Sequence, residues 1–213
     1  MEFVNGSHKV FNTVHANNHE FYKELWHIIQ KEPISFIDPE LRGQAAAIGI
    51  VKGKPFNPGE RLKKILIDSV AVGNATARSI SLRPRDKNAY LYKDKQWYTG
   101  FAGKDYRWLN GDGHRGRNMD ARTLFFYSVT VNTPAMALEI SGVGSNYAFA
   151  TTDKNSNILY GDKNYKLNIP ANVPAKFFWS VIVYDPQTRS QLQTDQPYPS
   201  KNNNLVHKGF SSL

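Results

Sequence analysis

The run Phe177-Phe178-Trp179-Ser180-Val181-Ile182-Val183-Tyr184 is the most apolar β-forming stretch of the chain, and it constrains the fold more than any other feature. Aromatic and β-branched side chains in an unbroken row favour an extended backbone. Such a row needs cover on both faces or pairing along both edges. Its surroundings, residues 165–200, read as strand, turn, buried strand, turn, strand. An apolar edge left open invites aggregation. The run therefore predicts cover from the N-terminal helices or completion by another chain.

The first eighty or so residues read as helices. Asn18 can cap a helix reaching about Glu32, with Phe21, Leu25, Ile28 and Ile29 on one face and Pro33 ending it. Asp38-Pro39-Glu40 is a second start signal, a capping carboxylate followed by Pro at the first helical position. Gly49 and Gly53 weaken the end of that helix. Asn57, Pro58 and Glu60 give the clearest start, with the acid placed for a capping box. The stripe Leu62, Ile65, Leu66, Val70, Gly73, Ala77 and Ile80 carries this third helix to about Leu82, and its small residues predict close packing.

After Pro84 the period changes. Strands are expected at 90–92 and 96–101 around a Lys93-Asp94-Lys95 turn, at 123–131, at 147–152 and at 158–160. Residues 103–118 form a polar, Gly-rich loop, and Thr133-Pro134-Ala135-Met136-Ala137 reads as a turn or short helix. Helices followed by strands predict an α+β fold, an N-terminal helical segment set against an antiparallel β-sandwich. The boundary falls between 1–84 and 85–213.

Charge bears on partners. Of the net +9, the middle of the chain carries most: residues 61–120 hold 13 Lys and Arg against 6 Asp and Glu. A basic surface attracts nucleic acid, anionic lipid or acidic polymers. No nucleic-acid motif accompanies the charge, so that class of partner is disfavoured. No apolar run approaches the length of a membrane span. The N-terminus shows no secretory signal pattern. The absence of Cys removes disulfides and thiolate chemistry.

Several constellations invite a chemical reading and fail it. In Gly49-Ile50-Val51-Lys52-Gly53-Lys54-Pro55 the glycines stand too close for a phosphate loop, and Pro55 occupies the Ser/Thr position. Asp153-Lys154-Asn155-Ser156-Asn157 starts like a calcium loop but has Ile158 at the glycine position and Asn164 at the bidentate acid. A strand-connecting turn is the better reading. His15 and His19 stand four apart without the glutamate that zinc proteases place after the first histidine. Gly142-Val143-Gly144-Ser145-Asn146 is no nucleophile elbow. No metal and no cofactor are expected. Asn5-Gly6-Ser7 and Asn74-Ala75-Thr76 fit the glycosylation rule, the second inside a helix.

The loop before Asp120 supplies the catalytic candidates Asp112, His114 and Asp120, since a carboxylate and an imidazole can exchange protons as base and acid. The binding candidates are Arg107, Trp108, Arg115 and Arg117: arginines clamp anions and aromatic rings can form a platform for a small molecule or glycan. Trp97, Tyr98 and Tyr106 would extend that platform, although ordinary sheet packing is the favoured reading of these aromatics.

Ordered segments along the chain resemble bacterial exported proteins built from paired domains of unknown function, 1254 and 1214. They are 11–17 (FNTVHAN), 48–56 (IGIVKGKPF), 118–127 (NMDARTLFFY), 133–137 (TPAMA), Tyr165-Lys166-Leu167, and Phe178-Trp179-Ser180 through Thr188-Arg189-Ser190. The resemblance runs from about residue 10 to 200. It implies a jelly-roll-like C-terminal 1214 domain preceded by a helical connector, and it implies export. It brings no catalytic residue.

Two departures stand out. Nothing resembles the family's N-terminal β-domain, and beyond Thr194-Asp195-Gln196 the family's further strands give way to Lys201-Asn202-Asn203-Asn204 and a polar tail. The chain is therefore expected to be a fragment or truncated domain. Its first expected role is binding or assembly, by self-association or with the missing β-domain. A hydrolase-like enzyme using the 103–120 loop and an anion or nucleic-acid binder using the basic middle third are the alternatives.

Overall fold

The structure, a computed structural model, describes residues 5–10, 14–93, 96–110, 116–129, 132–140, 142–196 and 198–203. Helices α1 (Phe21–Lys31), α2 (Pro39–Ala47), α3 (Glu60–Leu82), α4 (Met119–Ser128) and α5 (Pro134–Ala137) precede two short strands, β1 (Ser180–Ile182) and β2 (Ser200–Asn202). One-turn 3₁₀ segments occur at Ile34–Phe36, Lys87–Ala89 and Ala102–Lys104. The chain divides into two compact units, one ending at Thr76 and the other starting at Ala77. No described helix is long and apolar enough to cross a membrane.

In the N-terminal unit the start signals of the sequence become helices. The Glu20 amide donates to Asn18 Oδ1 at 2.9 Å just before α1, and Pro39 opens α2 behind Asp38. The end of α2 depends on Gly49, whose φ of +88° is cheap only without a Cβ. The Gly49 amide bonds the Ala46 carbonyl and the Ile50 amide bonds the Ala45 carbonyl, both at 2.9 Å. This paired closure satisfies two of the helix's orphan carbonyls. It also drives Ile50 into a small core with Ile29 and Ala45, flanked by Tyr22, Leu25, Trp26, Ile37, Ile48 and Phe56.

The loop after Gly49 straps onto α1. Lys52 Nζ donates to the carbonyls of Ile29, Gln30 and Glu32 at 3.2, 2.6 and 2.8 Å. A cation on the last carbonyls of a helix also complements its dipole. Gln30 Nε2 donates to the Val51 carbonyl and Gln30 Oε1 accepts from the Gly53 amide. Trp26 Nε1 reaches the Lys54 carbonyl at 2.8 Å. Lys52, within the apparent phosphate loop, is thus a clasp on a helix end. At Gly73, where close packing was expected, nothing among the described residues outside its own helix lies within 4 Å of where a Cβ would stand.

The core of the C-terminal unit gathers Ile80, Ala89, Tyr98, Ala102, Trp108, Ala121, Leu124 and Phe125, with Tyr90, Phe101, Val129 and Phe149 packed against them. Aromatic rings fill most of it. Phe101 lies 4.5 Å from Phe125 and stacks on Trp108 at 6.1 Å, while Tyr98 stacks on Phe149 at 5.9 Å. Such contacts stabilise beyond the area they bury. Gly100 lets two of these rings close in, since a Cβ there would sit 3.3 Å from Phe125 Cδ2 and 3.5 Å from Phe149 Cε2.

The expected antiparallel β-sandwich, jelly-roll-like or otherwise, is wrong. Among the described residues the only sheet is the antiparallel pair β1–β2, and the molecule is mostly helical. Two physical reasons account for the error. The run at 123–131 was assigned by β propensity, but Ala121, Leu124 and Phe125, the buried residues of α4, fall at helical spacing. Asn118 then nucleates that helix by accepting the Ala121 amide at 3.0 Å. Elsewhere among the described residues the extended stretches meet at isolated bridges, among them Tyr90 with Tyr98, Tyr98 with Phe149, Thr152 with Ile158 and Tyr184 with Gln191. Between 161 and 199, Pro170, Pro174, Pro186 and Pro199 each remove a ladder donor, which keeps pairing short.

Candidate functional site

The loop carrying the predicted site residues closes on itself at its base. The Asn110 amide bonds the Gly116 carbonyl at 3.1 Å, and the Asn118 amide bonds the Trp108 carbonyl at 2.6 Å. Asp112, His114 and Arg115 lie outside the described residues. Asp120 sits in the first turn of α4. Both of its carboxylate oxygens accept from Arg85, Oδ1 from Nη2 at 2.8 Å and Oδ2 from Nε at 3.0 Å. That pairing raises the Arg85 guanidinium above its ordinary value.

Arg107 pairs with Asp105, its Nε 3.2 Å from Oδ1, and the Arg107 amide donates to the same oxygen at 2.8 Å. Burial pushes the Asp105 carboxyl up, but the hydrogen bonds and charge of Arg107 outweigh it and hold the carboxyl below its usual range. Arg117 Nη1 donates to the Arg107 carbonyl at 2.7 Å. Trp108 is 3% exposed, packed among Phe101, Phe125 and Phe126. Its backbone is left-handed, with φ of +53°. Its indole Nε1 has no partner among the described residues. The structure therefore brings Arg107 and Arg117 together at the loop base, places Trp108 in the core, and engages Asp120 with Arg85. Among the described residues no three His, Asp or Glu side chains gather as a metal ion would require.

The apolar run lies at the opposite extreme of burial. Only Ser180–Ile182 forms a strand, in register Ser180 with Asn202, Val181 with Lys201 and Ile182 with Ser200. The flanking bonds fix which amides are used. The Asn203 amide reaches the Trp179 carbonyl and the Val183 amide reaches the Pro199 carbonyl. Beyond them the Leu192 amide bonds the Val183 carbonyl and the Asp185 amide bonds the Ser190 carbonyl. Antiparallel pairing alternates along a strand, so residues 179, 181, 183 and 185 face this pairing. Ser180, Ile182 and Tyr184 turn their amides and carbonyls to the other edge, where the described residues provide no backbone partner.

The side chains alternate as well. Phe178, Ser180, Ile182 and Tyr184 share one face of the strand, and all four are exposed, while Trp179 and Val181 on the other face are half-buried. Phe178 is 63% exposed and the preceding Phe177 80%.

Sequence reading singled out this run but could not tell which of its amides are left open, because that depends on partners twenty residues onward. It missed altogether that Arg83, Gln96 and Lys154 line one cleft with Tyr90 and Tyr98. The only signal was the basic residue inside the turn at 153–157.

No curated protein matches the chain. Residues 144–210, which include the whole exposed run and both strands, match the model of DUF1214, a family described as a protein of unknown function.

Proposed function

We propose that the C-terminal unit is a binding module that assembles with a second copy of this chain, strand to strand, along the free edge at 180–184. The observation that carries this reading is a strand with one edge that has no backbone partner among the described residues and one face exposed. Unpaired amides and carbonyls on an exposed edge offer a template for another strand. Contiguous exposed apolar side chains mark interaction surfaces. Phe177, Phe178, Ile182, Val183 and Tyr184 supply such a surface here.

A second copy suits the edge because residues 177–184 carry no charge. A two-fold antiparallel pairing about Ile182 sets Ile182 against itself and Ser180 against Tyr184, with no like charges opposed. The test is sedimentation velocity on the full chain across about 1–100 μM, where a small interface associates. A reversible monomer–dimer equilibrium is expected, and Ile182→Lys should abolish it by setting two ammonium groups face to face. Ile182 is exposed, so the variant keeps the native circular dichroism spectrum. A chain that stays monomeric throughout, or an I182K variant that dimerises as well as the parent, overturns the proposal.

A further inference from the structure

A cleft of about 330 Å³ opens in the C-terminal unit between the end of α3, the Tyr90 and Tyr98 bridge and the turn at 153–157. It shares no residue with the free edge. Its inner wall arises from the closing of α3, whose last carbonyls have no partner within the helix. Three hydroxyls from later in the chain satisfy carbonyls there. Tyr98 donates to Ser81 at 2.9 Å, Thr151 to Leu82 at 2.8 Å, and Tyr90 to Pro84 at 3.0 Å. With those carbonyls occupied, the helix end presents the cleft with no open acceptor at these positions.

The rim has the opposite balance. Arg83 commits Nη2 to the Ser156 carbonyl at 3.0 Å. The rest of its planar fork, the Lys154 ammonium and the Gln96 amide have no partner among the described residues. The one carboxylate in the lining, Asp153, is taken up by its own turn. It accepts the Asn155 amide at 2.8 Å, the Asn157 amide at 2.9 Å and Asn157 Nδ2 at 3.2 Å. Donors are open and the acid is engaged, so the cleft is set for an acceptor. Two cations against one carboxylate leave a single positive charge, which a monoanion neutralises.

We infer that this cleft binds a small organic monocarboxylate. The carboxylate lies between Arg83 and Lys154, where planar donors and an ammonium meet two oxygens. The apolar body, a ring or short chain, lies along Leu82, Pro84 and the half-buried ring of Tyr90. The volume fits the small end of ligand cavities. Inorganic phosphate has no apolar body to lie along Leu82, Pro84 and Tyr90, and binds less tightly.

Benzoate is the probe, added to the full chain and followed by the amide and side-chain resonances of Gln96, Tyr98 and Thr151. Saturable shifts confined to the cleft are expected, weakening as salt screens the pair. Lys154→Glu should lower the affinity about tenfold, the scale of one charge-assisted hydrogen bond. Lys154 is exposed in a turn held by Asp153, Asn155 and Asn157, so this variant keeps its fold, and its unchanged circular dichroism would confirm that. Benzyl alcohol, which has the ring without the charge, should bind at least tenfold more weakly by the same measure. Three results overturn the inference: no saturable shift with benzoate, equal affinity in K154E, or equal affinity for benzyl alcohol. Inorganic phosphate binding as tightly as benzoate would overturn the monocarboxylate assignment.

Discussion

Tyr98 shows how much one side chain does in this chain. Its ring stacks on Phe149, its amide and carbonyl bond those of Phe149 at 2.9 and 2.8 Å, and its hydroxyl donates to the buried Ser81 carbonyl. Burial pushes that hydroxyl from 10.0 up to about 12, against a lowering hydrogen bond involving Thr151. The raised value sets the sign of a pH effect. The unfolded chain releases this proton near pH 10 and the folded chain only near 12, so between those values the unfolded state binds fewer protons and stability falls. The stability that this site contributes, about 2–3 kcal/mol, is present in full below pH 10 and gone above 12. Tyr98→Phe should lose about 1–3 kcal/mol at neutral pH by stranding the Ser81 carbonyl. It should also flatten the fall between pH 10 and 12. Urea unfolding of both proteins across that range reads both effects. An equally steep alkaline fall in the variant would place the titrating group elsewhere.

Residues such as Trp108 explain why part of the candidate site was illegible. An aromatic in a polar loop reads as a platform, and nothing in the neighbouring sequence says otherwise. Its burial depends on a left-handed backbone at Trp108 itself and on Phe101 and Phe125, which touch each other and pack together against its ring. Arg107 and Arg117 meet because both stand at the closure of one loop, where Arg117 Nη1 donates to the Arg107 carbonyl.

At the scale of elements, helix starts were legible and the strand content was not. Asn18, Asp38-Pro39 and Asn57-Pro58 stand within three residues of the starts of α1, α2 and α3, so local sequence places these helices, although Asp38 makes no side-chain cap bond and α3 begins at Glu60 rather than at Pro58. The assignment of 123–131 failed because Thr123, Phe125, Phe126 and Tyr127 have strong β propensity, and the outcome turned on a cap five residues upstream. That cap does two jobs. Asn118 Oδ1 accepts the Ala121 amide, and Asn118 Nδ2 donates to Asp86 Oδ2 at 2.7 Å. Asp86 Oδ1 in turn accepts the Asn88 amide at the head of the 3₁₀ segment Lys87–Ala89. Asn118→Ala should therefore cost about 1–2 kcal/mol, the range of a lost cap. The informative variant is Asn118→Asp. Asp caps a helix as well as Asn does, yet here it would set a carboxylate against Asp86. N118D should be no more stable than N118A at neutral pH by urea unfolding. A near-native N118D would mean that the bond to Asp86 adds nothing and the cap alone matters.

Across the molecule, burial is unevenly shared, and this bears on the proposed assembly. The core of the C-terminal unit draws on residues 80–129 and Phe149, whereas no described residue from 159 to 196 is buried. The family match covers mainly this second part; it supports the 1214 portion of a resemblance expected from about residue 10 to 200, and the incomplete sandwich that the resemblance implied is not found. A stretch so apolar and so little buried should keep its amides open until something pairs with them. Residue-resolved hydrogen exchange on the full chain can read this. In dilute solution the amides of Tyr98 and Phe149, bonded to each other inside the core, should be protected. Those of Ser180, Ile182 and Tyr184 should exchange freely, while that of Val183, bonded to Pro199, exchanges more slowly. Raising the concentration into the associating range should slow Ser180, Ile182 and Tyr184 selectively, because a new strand on the free edge uses those amides and no others. Protection that rises instead on Val181 and Val183, or evenly across the unit, would mean that the copies meet through another surface. The alternation of paired and unpaired amides along five residues thus separates strand addition from every other mode of self-association.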